Sequence, residues 1–349
     1  MKITLKTALA VSVLALTAAC QKPAEKPVEA AAPAAAVAAA GTSIDRMDPA
    51  LDAVIAPDAK LELVSSGYGF TEGPLWYKGE LRFSDLTGNK LYAVGADGKA
   101  RMIMDHSGGK DTIPEGSFQG SNGSVVDKDG TVLMGQHGAR RIVRLAEDMT
   151  VTTFADKNSL GQHLNSPNDM VFAPDGALWV TDPPYGMLGQ DKDPAKETKF
   201  NAVYRMTDGK LAPAITDIPR PNGIGFSPDG KTLYVSNSEP DMYVKAFDVG
   251  ADGKVSNGRM FITFPKPNPV DVPDGLKVDT AGNVWASGPG GIRIITPAGK
   301  VIGQLKSPDR AQANLVWGGP DLKTAYIMAA GNVYKLQILI PGEKPLYTK

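Results

Sequence analysis

The chain writes one supersecondary unit six times. An apolar strand runs into a tight turn, and a second strand leaves it and ends in small polar residues. The copies are GPLWYKGELRFSD (residues 73–85), GSVVDKDGTVLMGQ (123–136), DMVFAPDGALWVTD (169–182), GIGFSPDGKTLYVSN (223–237), GLKVDTAGNVWASG (275–288) and LVWGGPDLKTAYIMA (315–329). The turn position is held by Gly79, Gly130, Gly176, Gly230 and Gly282, and by Leu322 in the sixth copy, at separations of 51, 46, 54, 52 and 40 residues. Such a period, with several short strands per unit, signals a β-propeller. Runs such as RRIVRL (140–145) and NAVYRM (201–206) bring each unit to about four strands. The fold expected is therefore all-β, a six-bladed β-propeller with four-stranded blades. A lone strand, KLELVSS (60–66), precedes the first unit. It is expected to pair with NVYKLQI (332–338), so that an N-terminal strand closes the last blade and leaves no open edge.

One stretch carries a competing signal. GFSPDGKT (225–232) fits the phosphate-loop pattern G-x-x-x-x-G-K-[ST] letter for letter. That loop needs a helix after its lysine. Here Thr232, Leu233, Tyr234 and Val235 follow, which are strand formers, and Pro228-Asp229-Gly230 is turn chemistry. The stretch reads as a hairpin. The 37 Lys and Arg balance the 38 Asp and Glu, so no basic surface calls for nucleic acid.

The N-terminus has its own organisation. MKITLKTALAVSVLALTAAC carries Lys2 and Lys6, an apolar run too short to span a bilayer, and small residues leading to Cys20, the only cysteine. Residues 1–19 read as a lipoprotein-type signal peptide, with lipid attached at Cys20. An ordinary secretory signal is the alternative. Either exports the protein, and the first places it in the periplasm, anchored to the outer membrane. Residues 20–43, rich in Ala and Pro, read as a tether, and the propeller takes 44–349. The membrane contact expected is that anchor alone, and no feature indicates a protein partner.

Eight residues before the turn position stand Asn122, Asn168, Asn222, Asp274 and Asn314, and Glu72 stands seven before Gly79. Every unit thus opens its first strand with an amide or carboxylate. First strands line a propeller's channel, and equal phase puts the six side chains at one level. Buried amides and carboxylates need partners. Glu72 and Asp274 would repel one another unless a cation or proton lay between them. Oxygen ligands alone suit a hard divalent ion, Ca2+ or Mg2+, and no imidazole shares the phase. The other reading is structural. Asn122-Gly123 and Asn222-Gly223 are strong hairpin signals, and a turn residue could recur once per blade.

TEGPLW, NSPNDMVFAPDGALWVTDPPYG, RPNGIGFSPDGKTLYVSN, VPDGLKVDTAGNVWASG and GGPDLKTAYI together resemble the gluconolactonase and senescence-marker-protein (regucalcin) family, over essentially the whole chain after residue 60. The resemblance implies a six-bladed propeller with one catalytic divalent cation, Ca2+ foremost and Mg2+ or Zn2+ next, that hydrolyses sugar lactones. It implies Glu72, Asn222 and Asp274 as metal ligands, Asp274 also as general base, and Asn168 beside the metal in contact with substrate or water. Asn122 and His137 are further substrate-contact candidates. QHGARR (136–141) departs from the family in lacking an acidic residue before His137, and residues 107–123 are also untypical.

The expected chemistry is attack of water on a metal-polarised lactone carbonyl, with Asp274 handling the water's proton. No G-x-S-x-G nucleophile motif occurs. Two alternatives stand beside this one. The first is a metal-dependent esterase or phosphotriesterase on the same scaffold. The second is a non-catalytic surface binding propeller. Tyr185 in DPPYG belongs to a rigid loop or a lid, and Trp76, Trp179 and Trp285 are expected to pack between blades.

Overall fold

The structure, a computed structural model of the chain, describes residues 38–265 and 271–348. The expected signal, Cys20 and the tether as far as residue 37 lie outside the described residues. The rest forms six antiparallel sheets, five of four strands and one of five. Their innermost strands are Thr71–Tyr77, Ser121–Val126, Met170–Phe172, Pro221–Phe226, Leu276–Val278 and Gln312–Gly318, one for each of blades one to six. Each touches its neighbour, and the sixth touches the first, so the inner strands close a ring around one axis. Among the described residues the helices are two short 3-10 turns, Pro49–Ala53 and Gln190–Lys192.

Alternation along each strand builds the core. In blade three, Leu178, Val180 and Tyr204 face blade two and pack on Leu133 and Ile142. Trp179 and Val203, one residue out of step, face blade four and pack on Ile224, Leu233 and Val235. The tryptophans lie between blades as expected. Trp179 meets Phe226 edge-on, Trp76 stacks on Tyr326, and Trp285 meets Trp317 at 5.2 Å between centroids.

The ring closes where the sequence placed the closure. Glu62–Ser66 pairs with Asn332–Gln337 as the outer strand of blade six. A second N-terminal strand was not foreseen. Ser43–Arg46 runs antiparallel to Val301–Lys306 and gives blade five a fifth strand. The turn after it buries Leu51, Val54 and Ile55 in the core between blades five and six. GFSPDGKT forms the expected hairpin, with Thr232–Asn237 extended after Lys231. Leu322 holds φ 56°, the left-handed region occupied by the five turn glycines, so the sixth turn keeps their geometry without their residue.

Candidate metal and substrate site

The polar residue of each blade sits at the same end of its inner strand. Glu72, Asn122 and Asn222 are the second residues of theirs, Asn314 the third, and Asn168 and Asp274 stand two residues ahead. Pairing register breaks beside Glu72, Asn122, Asn222 and Asn314. A bulge there re-aims a side chain that regular pairing would send toward a neighbouring blade. The Asn-Gly pairs are therefore not hairpin turns. The glycine answers a close approach between blades. Gly123 N–H donates to Asn168 O at 2.8 Å and Gly223 N–H to Asp274 O at 3.0 Å, and a Cβ on Gly223 would lie 2.4 Å from that same oxygen.

Convergence on the axis shows in one bond between blades that are not neighbours, extended by bonds to the adjacent blades. Lys277 of blade five reaches Asp169 of blade three at 3.0 Å and Asn314 Oδ1 of blade six at 3.1 Å. Asn314 Nδ2 in turn donates to Glu72 Oε2 of blade one at 3.1 Å. Asp169 and Lys277 were missed in the sequence. A signal existed for the first, since Asp169 stands seven residues before Gly176, the phase of Glu72. Asn314 also accepts Leu315 N–H at 2.9 Å, so both ends of its amide are bonded and it serves as scaffold.

The remaining five residues present oxygen. Glu72 Oε1, Asn122 Oδ1, Asn168 Oδ1 and Asn222 Oδ1 are buried and accept no hydrogen bond. Four acceptors from four blades, with no donor facing them, match the requirements of a hard cation. Among the described residues no three of His, Cys, Asp and Glu are grouped so as to hold a metal ion by themselves, so carboxylate together with amide oxygens is what the channel offers an ion. Burial first, and then the charge of Asp169, pushes Glu72 up to about 7 against the Gly73 amide, Asn314 and Lys277. Asp274 is raised well above the ordinary range, by burial first and then by Glu72 and Asp169, while the Asn222 side chain lowers it. Asp274 nevertheless keeps part of its surface open, whereas Glu72 is 2% exposed.

The supports around these residues are specific. Asp182 accepts the Asn165 and Ser166 amides at 2.7 Å each, fixing the loop that delivers Asn168. Asn222 Nδ2 donates to Ser238 Oγ at 3.2 Å, and that hydroxyl donates to Pro273 O at 2.7 Å, next to Asp274. His137 is fully buried just after the strand Val132–Gln136, with Nδ1 3.0 Å from Pro167 O and Nε2 unbonded. Burial lowers it to about 4, so the ring is neutral. Gln136, where an acidic residue was the family pattern, accepts from Arg141 Nε at 2.7 Å and donates to Ser107 O at 3.1 Å.

The model of the SMP-30/Gluconolactonase/LRE-like region matches residues 70–331. A gluconolactonase of Zymomonas mobilis is 33% identical over 307 residues, which are 84% of this chain and 85% of that one. Pentonolactonase XacC of Haloferax volcanii is 28% identical, over 74% of this chain and 81% of its own. The solved structure of a gluconolactonase of Xanthomonas campestris superposes with a TM-score of 0.75 at 29% identity, covering 89% of this chain and 99% of that one. The chain belongs to the SMP-30/gluconolactonase/LRE-like family.

Proposed function

We propose that this protein hydrolyses sugar lactones with one divalent cation, Ca2+ foremost, held by Glu72, Asn222 and Asp274. The observation that carries the reading is the set of buried oxygens on separate blades that accept nothing. The names of the similar lactonases support the substrate class. When bound, the ion supplies Lewis-acid polarisation of the lactone carbonyl. The chain's own residues do the rest. Asp274, next to the Asn222 side chain and less buried as a residue than Glu72, is the proton acceptor in this reading. It takes a proton from the attacking water as the water oxygen bonds to the acyl carbon. It returns that proton to the ring oxygen as the acyl C–O bond breaks, giving the hydroxy acid. Asn168 and Asn122 orient substrate and water.

The test is a pH-stat assay on glucono-δ-lactone with the protein stripped by chelator and reloaded with Ca2+. Activity should vanish on stripping, return on reloading, and fall about a hundredfold or more in Asp274→Asn. Hydrolysis that survives chelation, or an Asp274→Asn variant at the parental rate, would sink the proposal. Turnover of a phosphotriester instead of the lactone would favour the alternative chemistry on this scaffold. Export with lipid on Cys20 is part of the same proposal, motivated by residues 1–20. Radiolabelled palmitate incorporation that is lost in Cys20→Ala, together with membrane fractionation, tests it.

A further inference from the structure

We infer that His137 Nε2 and the Tyr185 hydroxyl read the hydroxyl groups of the substrate, the first as acceptor and the second as donor, and so set preference for a polyhydroxylated lactone over a bare one. The inference rests on the lactonase reading above.

The tautomer of His137 follows from its partner. Pro167 O can only accept, so Nδ1 carries the proton and Nε2 holds a lone pair. That lone pair lies inside the protein with no donor. The ring is wedged, because a Cβ on Gly186 would come within 2.7 Å of His137 Cδ2 and of Ser166 Cβ. Gly186 is itself held by its N–H to Ser166 Oγ at 2.9 Å. The Cδ2 side of the imidazole therefore lies against the turn that carries Tyr185.

Tyr185 is placed as firmly. Its ring sits 5.3 Å from the Arg220 guanidinium carbon. Arg220 is held by Gln190 at 2.8 Å, Asp191 at 3.1 Å and Glu239 at 3.0 Å. The Tyr185 oxygen is buried and makes no well-formed hydrogen bond. It lies beside Ser238, whose hydroxyl already donates to Pro273 O and accepts from Asn222. Arg220 beside it can only donate, and no bond from the phenol to the Ser238 oxygen is well aligned, so the phenol proton is left for a ligand acceptor. Burial pushes Tyr185 up to about 12, so it remains a donor.

A fixed acceptor and a fixed donor, both unspent, flank the loop of Asn168 and the strand of Asn222. A sugar hydroxyl can satisfy either, since it donates and accepts. An unsubstituted lactone has no donor for Nε2 and offers Tyr185 only the ester oxygens of the reacting centre, which is how a polar pocket rejects an analogue that lacks the hydroxyl.

The experiment measures kcat/KM for glucono-δ-lactone and for δ-valerolactone, and takes their ratio. His137→Asn keeps a donor for Pro167 O and removes the acceptor, His137→Gln keeps an acceptor near Nε2, and Tyr185→Phe removes one oxygen and keeps the ring under Arg220. The ratio should fall about tenfold or more in His137→Asn and in Tyr185→Phe, chiefly through KM, with partial recovery in His137→Gln. A ratio within about twofold of the parent, or a parallel fall on both lactones, makes these groups structural and overturns the inference while the lactonase reading stands. A parent enzyme that opens neither lactone overturns both.

Discussion

Glu72 gives the metal-free protein a pH dependence of unusual sign. An ordinary glutamate near 4.5 sits here at about 7, because burial and Asp169 disfavour its charge. The native state therefore binds a proton between those values that the unfolded chain has released, and stability falls as pH rises. The penalty is absent below about 4.5 and complete above about 7. The difference between 4.5 and 7 corresponds to roughly 3 kcal/mol. An unfolding entropy of about 2.1 cal/mol/K per residue over roughly 310 residues turns that into ~5 °C of Tm. Asp182, raised to about 7 by burial, has the same sign, and so does Asp274. The Glu72 share is isolated by Glu72→Gln, a near-isosteric neutral side chain. In chelator-treated protein, calorimetric Tm of Glu72→Gln minus parent should be near zero at pH 4.5–5 and should grow to about +5 °C by pH 8. Reloading the parent with Ca2+ at a hundred times Kd should recover about 2.7 kcal/mol at pH 8, and Glu72→Gln should bind the ion weakly. A Tm difference that does not change with pH would refute the argument, because it would mean that Glu72 is ionised and compensated without any ion.

Three other outcomes follow from the same geometry. Lys277→Met leaves Asp169 buried without its 3.0 Å partner and should destabilise the protein by about 3–5 kcal/mol, with Lys277→Met/Asp169→Asn recovering most of it in urea melts. Gly223→Ala drives a Cβ into the Asp274 carbonyl and should cost about 1–3 kcal/mol, and calorimetric titration should show Ca2+ affinity reduced, since Asn222 and Asp274 are pushed apart. Leu51→Ala empties a fully buried position against Gly303 and should cost about 2–5 kcal/mol while leaving kcat on the lactone unchanged, because this N-terminal turn braces blades five and six far from the axis.

A repeat reports what is done six times and is silent about what is done once, and that divides what was legible from what was not. The hairpins were legible because alternation, turn chemistry and the left-handed position recur, and Leu322 could be read through its place in the series although it is no glycine. The polar level of the channel was legible for the same reason, because one phase serves every blade. What that phase could not show is that the residues divide into different roles. Asn314 shares the phase of Asn222, yet Lys277 takes its oxygen and Glu72 its amide, so it braces the site. That difference comes from a single lysine crossing the axis to a single aspartate, an event without periodicity. The fifth strand Ser43–Arg46 is likewise singular, four polar-flanked residues whose pairing is decided by the free edge of Val301–Lys306.

The departures from repetition are also where any selectivity among substrates must lie. A ring of identical amides would hold an ion equally well from any side and could not orient an asymmetric lactone. The asymmetry comes in part from the carboxylates Glu72 and Asp274 among the amides, and further from residues outside the common phase: Lys277 and Asp169 on the axis, and His137 and Tyr185 in loops. The unbonded His137 Nε2 and Tyr185 hydroxyl belong to the loops that follow the second strands of blades two and three. If the ion is held by what the blades share, the substrate is chosen by what they do not. Substitutions at Glu72 and Asn222 should then scale turnover of all lactones together, whereas substitutions at His137 and Tyr185 should reorder them.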